Sequence, residues 1–293
     1  MAAEYPHTLV RDGKGRQMRF PIFITQPDMD VLAREFSTAV DDVFIATYPR
    51  SGTTWTEQIV HLIRNQGEQG EVRLTDAVPW LETLPHRPGG MSVFLQTLKG
   101  RRFFTTHLPC QLMPDFTSSK GKYIYVTRNP KDVAVSCYHH ERSKAGYEGS
   151  WDEYFALCMQ GQVTYGLSMD HVLGWWHASQ NAQNILFLKY EDMQHDLPTA
   201  IGQISRFMGV TLGPGVLEKV LTGSTLQAMS SNEKTDMNWI PQREGVPKHY
   251  RKGIIGDWRS QFSAEQSEQF DALYRQKFAD VDLQFDFGDG LVF

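Results

Sequence analysis

Four short apolar runs, separated by amphipathic stretches, constrain this chain more than any other feature. They are Val43–Tyr48, Arg102–Thr106, Tyr123–Thr127 and Ile185–Tyr190. Each is rich in β-branched or aromatic residues and bounded by turn formers, as strands are. Their continuous apolar character suits strands covered on both faces, the environment of a parallel sheet. Between and after them, the apolar spacing predicts helices over Thr54–Asn65, Lys131–Ser143, Trp151–Gln162, Asp170–Asn181 and Leu197–Met208. Strands alternating with helices read as an α/β fold with a central, mostly parallel sheet flanked by helices. The chain has 293 residues and no linker-like tract, so a single domain spanning 1–293 is expected. Ligands of such folds sit at the carboxyl ends of the strands.

Composition removes several classes of function. Net charge is −5 with histidines neutral, so there is no global basic field for nucleic acid. An anionic ligand would have to be held by local groups. Three cysteines, Cys110, Cys137 and Cys158, with no CxxC spacing, read as free thiols of a reducing compartment. The N-terminal stretch lacks the apolar segment of a signal peptide, and no run approaches the ~20 residues of a membrane helix. A cytoplasmic protein with no membrane or nucleic-acid partner is expected. Neither HExxH nor a CxxC pair is present, so no metal is expected.

Three polar clusters stand where strands should end. The first is TYPRSGTTW, Thr47 to Trp55. Gly52 lets the backbone approach a ligand closely. The first N–H groups of the helix that follows have no intrahelical partners, and its dipole adds positive potential. Such a start is an anion site; Ser51, Thr53 and Thr54 add hydroxyls and Arg50 a fixed charge. A plain helix cap at Thr53 or Thr54 is the competing reading. A Walker A loop is excluded, because no lysine follows the glycine. The second cluster is YIYVTRNPKDVAVSCYHHER, where Arg128 offers a planar fork of donors and Pro130 suits the first position of a helix. Arg128 could equally cap the sheet edge or pair with Asp132. The third is YRKGIIGDW, with Arg251, Lys252 and Gly253.

These motifs, in this order, resemble those of the cytosolic sulfotransferases over roughly Phe20 to Asp257. TYPRSGTTW is similar to the family's TYPKSGTTW, the P-loop-like segment that binds the 5′-phosphosulfate of 3′-phosphoadenosine-5′-phosphosulfate (PAPS). Arg50 stands where that family usually has lysine, although related Golgi carbohydrate sulfotransferases carry an RSG version. The second cluster resembles YVxRNPKDVAVSxYHH, which implies that Arg128 and Ser136 hold the 3′-phosphate. RKGxxGDW implies the same for Arg251, Lys252 and Gly253. The resemblance also implies Trp55 stacked on the adenine, with Tyr190 and Ser224 at the base. Leu226 replaces the aromatic residue usual on the second side of the ring. Adenosine 3′,5′-bisphosphate (PAP) would be the product.

RRFFTTHLP ends a strand with His107. A histidine titrates near neutral pH and can take a proton from an attacking hydroxyl. TTHLP resembles the family's KTHLP, whose histidine is the general base; Thr105 replaces the lysine. In the implied reaction an acceptor oxygen attacks sulfur in line, His107 removes its proton, and Arg50 with the loop amides stabilises charge on the leaving phosphate oxygen. The aromatic segments MRFPIF, VPWLETL and GYEGSWDEYF offer Phe23, Trp80 and Tyr147 as walls for a small-molecule acceptor, and Thr105 joins them. RSQFSAEQSE, Arg259 to Glu268, is a weakened version of the family's KxxxTVxxxE dimer motif, so a homodimer is an open expectation. Two other readings stand: a nucleotide-binding relative with little or no activity, on the strength of Arg50, Thr105 and Leu226, and a P-loop kinase.

Overall fold

The computed structural model describes residues 4–12, 14–116, 118, 120–235, 253–288 and 290. A small antiparallel hairpin, β1 (Thr8–Arg11) and β2 (Gln17–Phe20), leads into α1 (Gln26–Glu35). Then come β3 (Val43–Thr47), α2 (Thr53–Arg64), β4 (Phe103–Thr106), β5 (Lys122–Thr127) and α3 (Pro130–His140). The chain continues through α4 (Trp151–Met159), α5 (Ser168–Gln180), β6 (Ile185–Lys189), α6 (Leu197–Met208), α7 (Val216–Gly223) and α8 (Ala264–Lys277). The main sheet is parallel, in the order β4-β3-β5-β6. All four strands read from the sequence are present, within a residue or so of their expected ends. The hairpin and α1 carried no such reading.

Every residue of β3 is buried, and the strand serves two cores at once. Val43 and Ile45 pack with Ile59, Val60 and Ile63 of α2 on one face. Phe44 and Ala46 join the core on the other face, where Phe44 stacks between Phe104 at 5.5 Å and Tyr123 at 4.9 Å. Alternate residues of a strand point to opposite faces, so a continuous apolar run is what a two-sided burial demands. Each such buried aliphatic side chain contributes roughly 2 kcal/mol.

The helices begin and end for local reasons. At the carboxyl end of α2, Gln66 adopts φ 53° and Gly67 φ 86°. The Gly67 and Gln66 N–H groups donate to the Leu62 and Ile63 carbonyls, a left-handed stop that satisfies two otherwise orphaned oxygens. The N-terminus of α3 is capped by Asn129, whose side-chain oxygen accepts from the Asp132 N–H, with Pro130 following. Past His140 the backbone widens into a π turn over Glu141–Ala145. This turn brings His140, Glu141 and Lys144 to the cavity described below. Lys131, fully buried, reaches from α3 to α8: its Nζ donates to Ser267 Oγ at 2.7 Å and pairs with Asp271 at 2.7 Å. Among the described residues no helix is long and apolar enough to cross a membrane.

Candidate active site

The carboxyl ends of β3, β4 and β5 open into one cavity of about 1030 Å³. This follows from parallel order: all four strands point the same way, so the loops leaving them meet at one rim. The loop after β3 is tied down by Tyr48, whose hydroxyl donates to the Gly166 carbonyl at 2.8 Å. It then places two residues in left-handed backbone, Arg50 at φ 70° and Gly52 at φ 99°. That conformation costs a residue with a Cβ about 1–2 kcal/mol. At Gly52 it is free, and a Cβ there would lie 2.7 Å from Tyr190 Cδ2. Glycine is therefore needed twice over, for the turn and for the close ring.

Gly52 is the N-cap of α2 and no side chain caps the helix, contrary to the reading of Thr53 or Thr54 as a cap. Gly52, Thr53, Thr54 and Trp55 line the cavity instead, so the positive end of the helix borders it. Ser51 is placed differently. It is 1% exposed, sits beneath the loop outside the cavity lining, and its N–H closes a turn on the Tyr48 carbonyl. Its hydroxyl is not part of the wall.

The second cluster comes alongside the first. Arg50 Nε donates to Ser136 Oγ at 3.2 Å, joining the loop to α3. Arg128, 8% exposed, donates from Nη2 to the Ile254 carbonyl at 2.8 Å and lies 3.4 Å from Asp132 Oδ2. Its guanidinium lies 4.7 Å from the centre of the Tyr190 ring. Both readings of Arg128 are thus realised: it pairs with Asp132 and lines the cavity. Its Nε is buried with no hydrogen-bond partner among the described residues. Trp55 meets Tyr190 edge-on at 5.3 Å, and Tyr190 donates to the Gly253 carbonyl at 3.1 Å. Ser224, Leu226 and Gly253 line the same end, with the Ser224 hydroxyl turned to the Val220 carbonyl. Arg251 and Lys252 lie outside the described residues.

His107 follows β4 directly and its ring is fixed from several sides. Its Nδ1 is 2.9 Å from the Thr47 carbonyl, an acceptor only, so Nδ1 carries the hydrogen and Nε2 keeps its lone pair. Thr47 Oγ1 is 3.2 Å from the same nitrogen and 2.7 Å from Thr53 Oγ1, linking the histidine to the first turn of α2. The ring packs edge-on against Trp80 at 5.4 Å and Tyr165 at 5.6 Å. Its backbone is held as well. The His107 N–H donates to Glu82 Oε1 at 2.8 Å, and His171 Nε2 donates to its carbonyl at 3.0 Å. Burial, reinforced by the Arg50 charge, pushes the imidazole down to about 4, against the opposing pull of the Thr47 carbonyl. The ring is neutral at physiological pH.

The acceptor-side expectations divide. Phe23, Trp80 and Thr105 line the cavity; Trp80 bridges to Thr105 and meets Phe23 edge-on at 5.6 Å. Tyr147 does not line it. It is 1% exposed and packed among Tyr5, Tyr138 and Tyr154 in the main core, where the turn at Gly146 directs it. Glu57, Glu82 and His140 were not singled out by the sequence. No pattern in the sequence marks them, and only packing reveals where they stand. Among the described residues no group of three or more His, Cys, Asp or Glu is placed to hold a metal.

Residues 40–282 match the family model of the sulfotransferase domain. The chain is 36% identical over 260 residues to rat sulfotransferase 1C2, covering 85% of this chain and 87% of that protein. In overall shape it is similar to retinol dehydratase solved with retinol and PAP, with a TM-score of 0.80 at 27% identity, covering 96% of this chain and 93% of the other. It is also similar to mouse sulfotransferase SULT7A1 solved with PAP, with a TM-score of 0.76 at 29% identity, covering 94% and 95%. A glycine-pinched helix start, a neutral histidine bonded to its rim and a sequence match across most of the chain agree: this chain belongs to the sulfotransferase family.

Proposed function

We propose that this protein moves a sulfuryl group from PAPS to a hydroxyl or amine of a small-molecule acceptor, with His107 as general base and Arg50 stabilising the leaving phosphate. The observation that carries the reading is the bond from His107 Nδ1 to the Thr47 carbonyl. It leaves Nε2 as the basic atom of a cavity that also holds Arg50 and the start of α2.

The residues present suit the nucleotide. Gly52, at the start of α2, lines the cavity where the Tyr190 ring packs against it, and Arg128 keeps a buried Nε with no hydrogen-bond partner among the described residues. Gly52, Thr53, Thr54 and Arg50 would take the 5′-phosphosulfate; Arg128, Ser136 and Gly253, with Arg251 and Lys252 read from the sequence, would take the 3′-phosphate. Ser51 would contribute its backbone alone. Trp55, Tyr190, Ser224 and Leu226 would enclose the base. PAPS supplies a sulfuryl group on a phosphate that leaves as a weak base. His107 Nε2 accepts the proton of the attacking group, and the resulting imidazolium keeps its Nδ1 bond to Thr47. Arg50 stays protonated throughout and so stabilises charge without supplying a proton. Phe23, Trp80 and Thr105 would face the acceptor. Retinol dehydratase was solved with retinol and also with androsterone, and the aromatic wall here suits a ligand with an apolar body.

A single working domain, a cytoplasmic setting and a homodimer belong to the same proposal. For the dimer, Arg259 is spent within its own chain on the Phe287 and Gly288 carbonyls, so the exposed Glu265 and Glu268 are the charges left to that segment. Two measurements test the function. Calorimetry should show PAP binding in preference to ATP, and an acceptor panel with PAPS, read by mass spectrometry, should show a gain of one sulfo group. Preference for ATP, or no acceptor modified, overturns it.

A further inference from the structure

The sulfuryl transfer proposed above gives a task to His107 and none to the histidine bonded to it. His171, on α5, is 3% exposed and does not line the cavity. Its Nε2 lies 3.0 Å from the His107 carbonyl, which only accepts, so Nε2 carries the hydrogen. Its Nδ1 is therefore a lone pair, and the Tyr125 hydroxyl donates to it at 2.9 Å. This tautomer is the opposite of the one at His107. The Tyr125 ring, fully buried in β5, stacks on the His171 ring at 5.8 Å. Burial pushes His171 down to about 3, so it stays neutral and keeps one tautomer at physiological pH.

Two donors from one face of α5 meet the segment that carries the base. His171 and Trp175 are four residues apart and so lie on the same side of the helix. Trp175 Nε1 donates to the Leu108 carbonyl at 3.2 Å, next to the carbonyl that His171 holds. On the other side, the His107 N–H donates to Glu82 Oε1. The peptide planes before and after His107 are thereby fixed, and with them the direction of its Cα–Cβ bond. That direction matters, because the ring must reach the Thr47 carbonyl at 2.9 Å for Nε2 to remain the basic nitrogen. The His171 ring also meets Tyr48 edge-on at 5.5 Å, and Tyr48 anchors the loop that carries Arg50 and Gly52. One buried residue thus touches the supports of both the base and the anion loop. His61 is buried as well, but its bond goes to the Gln69 carbonyl, in the loop after α2.

We propose that His171 is a positioning residue for the general base: through its bond to the His107 carbonyl it holds the His107 imidazole on the Thr47 carbonyl, leaving Nε2 to take the acceptor's proton. The inference rests on the sulfotransferase reading and adds to it a residue outside the cavity wall. Without the bond, a buried carbonyl is left with no donor, a state that costs enough for the His107 backbone to turn in search of another. The ring should then leave Thr47, and either nitrogen can carry its hydrogen. A displacement of about 1 Å at a reacting group costs on the order of 100-fold in rate. The nucleotide side of the cavity, built on α2 and α3, should be left as it was.

Three substitutions separate this role from packing. His171→Phe keeps a ring and removes both bonds. His171→Gln places an amide N–H near the position of Nε2 and can serve the His107 carbonyl. His171→Asn places its amide near the position of Nδ1 and can serve Tyr125 alone. The probe is 2-naphthol with PAPS, an aromatic alcohol that is protonated at neutral pH and so needs a base. Turnover, kcat, should fall about 100-fold in the Phe and Asn variants and regain most of that loss in the Gln variant. The KM for 2-naphthol and the affinity for PAP should change little, which also reports that each variant is folded; if His171→Phe does not fold, Gln against Asn decides. Long-range proton–nitrogen NMR of the free protein, with its histidines labelled, should show the His107 hydrogen on Nδ1 in the wild type and the Gln variant, and exchanging between both nitrogens in the others. Wild-type kcat in His171→Phe, Gln and Asn variants that behave alike, or a His107 spectrum that is the same in all of them, overturns the proposal. The spectra decide it whether or not 2-naphthol is modified, whereas a wild type that binds no PAP and modifies no acceptor refutes the sulfotransferase reading instead.

Discussion

Asp132 is the hinge pin between the second and third anion clusters, and its removal should be felt in stability and in nucleotide affinity together. The carboxylate is 1% exposed and accepts three hydrogen bonds, from the Gly256 N–H at 2.9 Å, the Trp258 N–H at 2.8 Å and Asn129 Nδ2 at 2.8 Å. It also lies 3.4 Å from Arg128 Nη2. In Asp132→Ala the Gly256 and Trp258 N–H groups lose their acceptor, while Asn129 Nδ2 keeps the Asp286 carbonyl and Arg128 Nη2 the Ile254 carbonyl. A buried donor left unmade costs about 1–3 kcal/mol, and breaking a buried pair about 3–5 kcal/mol in total. The bordering cavity lets water reach part of the gap, so the whole loss should be about 4 kcal/mol, well beyond the common range for a point substitution. Affinity should fall too. Arg128 donates to Ile254, and Gly253 accepts from Tyr190, so the stretch carrying both is aligned by the two backbone bonds to Asp132. PAP binding should weaken by about tenfold or more in this variant. Asp132→Asn, which keeps one accepting oxygen, should fall between the two. Urea unfolding followed by tryptophan fluorescence and calorimetric titration with PAP give the numbers. Wild-type stability within 1 kcal/mol in Asp132→Ala, or equal damage from Asn and Ala, would refute the reasoning.

Four further outcomes follow from the site. His107→Ala should lower turnover by about 10²–10⁴-fold while PAP still binds, the range for a lost general base; loss of PAP binding would contradict that role. In the wild type the base is held neutral, so the acid limb of kcat/KM should fall as pH drops through about 4 rather than through the ordinary histidine range. Arg50→Met should slow transfer strongly and Arg50→Lys should retain much of the rate, because the argument asks for charge rather than for a proton; normal turnover in the Met variant would end it. Glu82 is pushed up to about 7 by burial, against an unfolded value near the usual 4.5. The folded state thus holds an extra proton between those values, and the associated stability is present below the unfolded value and is lost as pH rises through about 7. Glu82→Gln mimics the protonated form, so between pH ~5 and pH ~8.5 it should lose about 3 kcal/mol less stability than the wild type. Parallel unfolding curves for the two proteins across that interval would sink the assignment.

How much was legible in advance depended on how local the cause is. The runs at 43–48 and 123–127 declared themselves because a strand buried on both faces has no room for polar residues. His107 and Arg128 were found because each stands one position past such a strand. Ser51 and Tyr147 show the limit. A serine in an anion loop and a tyrosine in an aromatic loop read alike whether they face a ligand or the core. Here the turn at Tyr48–Ser51 and the left-handed Gly146 send both inward. The hairpin at Thr8–Phe20 escaped notice because its four-residue strands lack an apolar run, each burying a single residue, Val10 and Phe20.

Sequence by itself determined the parallel α/β order, the strand ends, the glycine-pinched helix start and the residue types able to hold an anion there. These depend on backbone conformation and on periodic burial, which neighbours in the chain dictate. Tertiary structure alone decided the tautomer of His107, the joining of α3 to the 253–258 stretch through Asp132, and the placing of Glu57 in the cavity wall. Each of those depends on a contact between segments far apart in sequence, such as Thr47 with His107 or Asp132 with Trp258. No local pattern encodes such contacts; they exist once the sheet has brought its loops to a common rim.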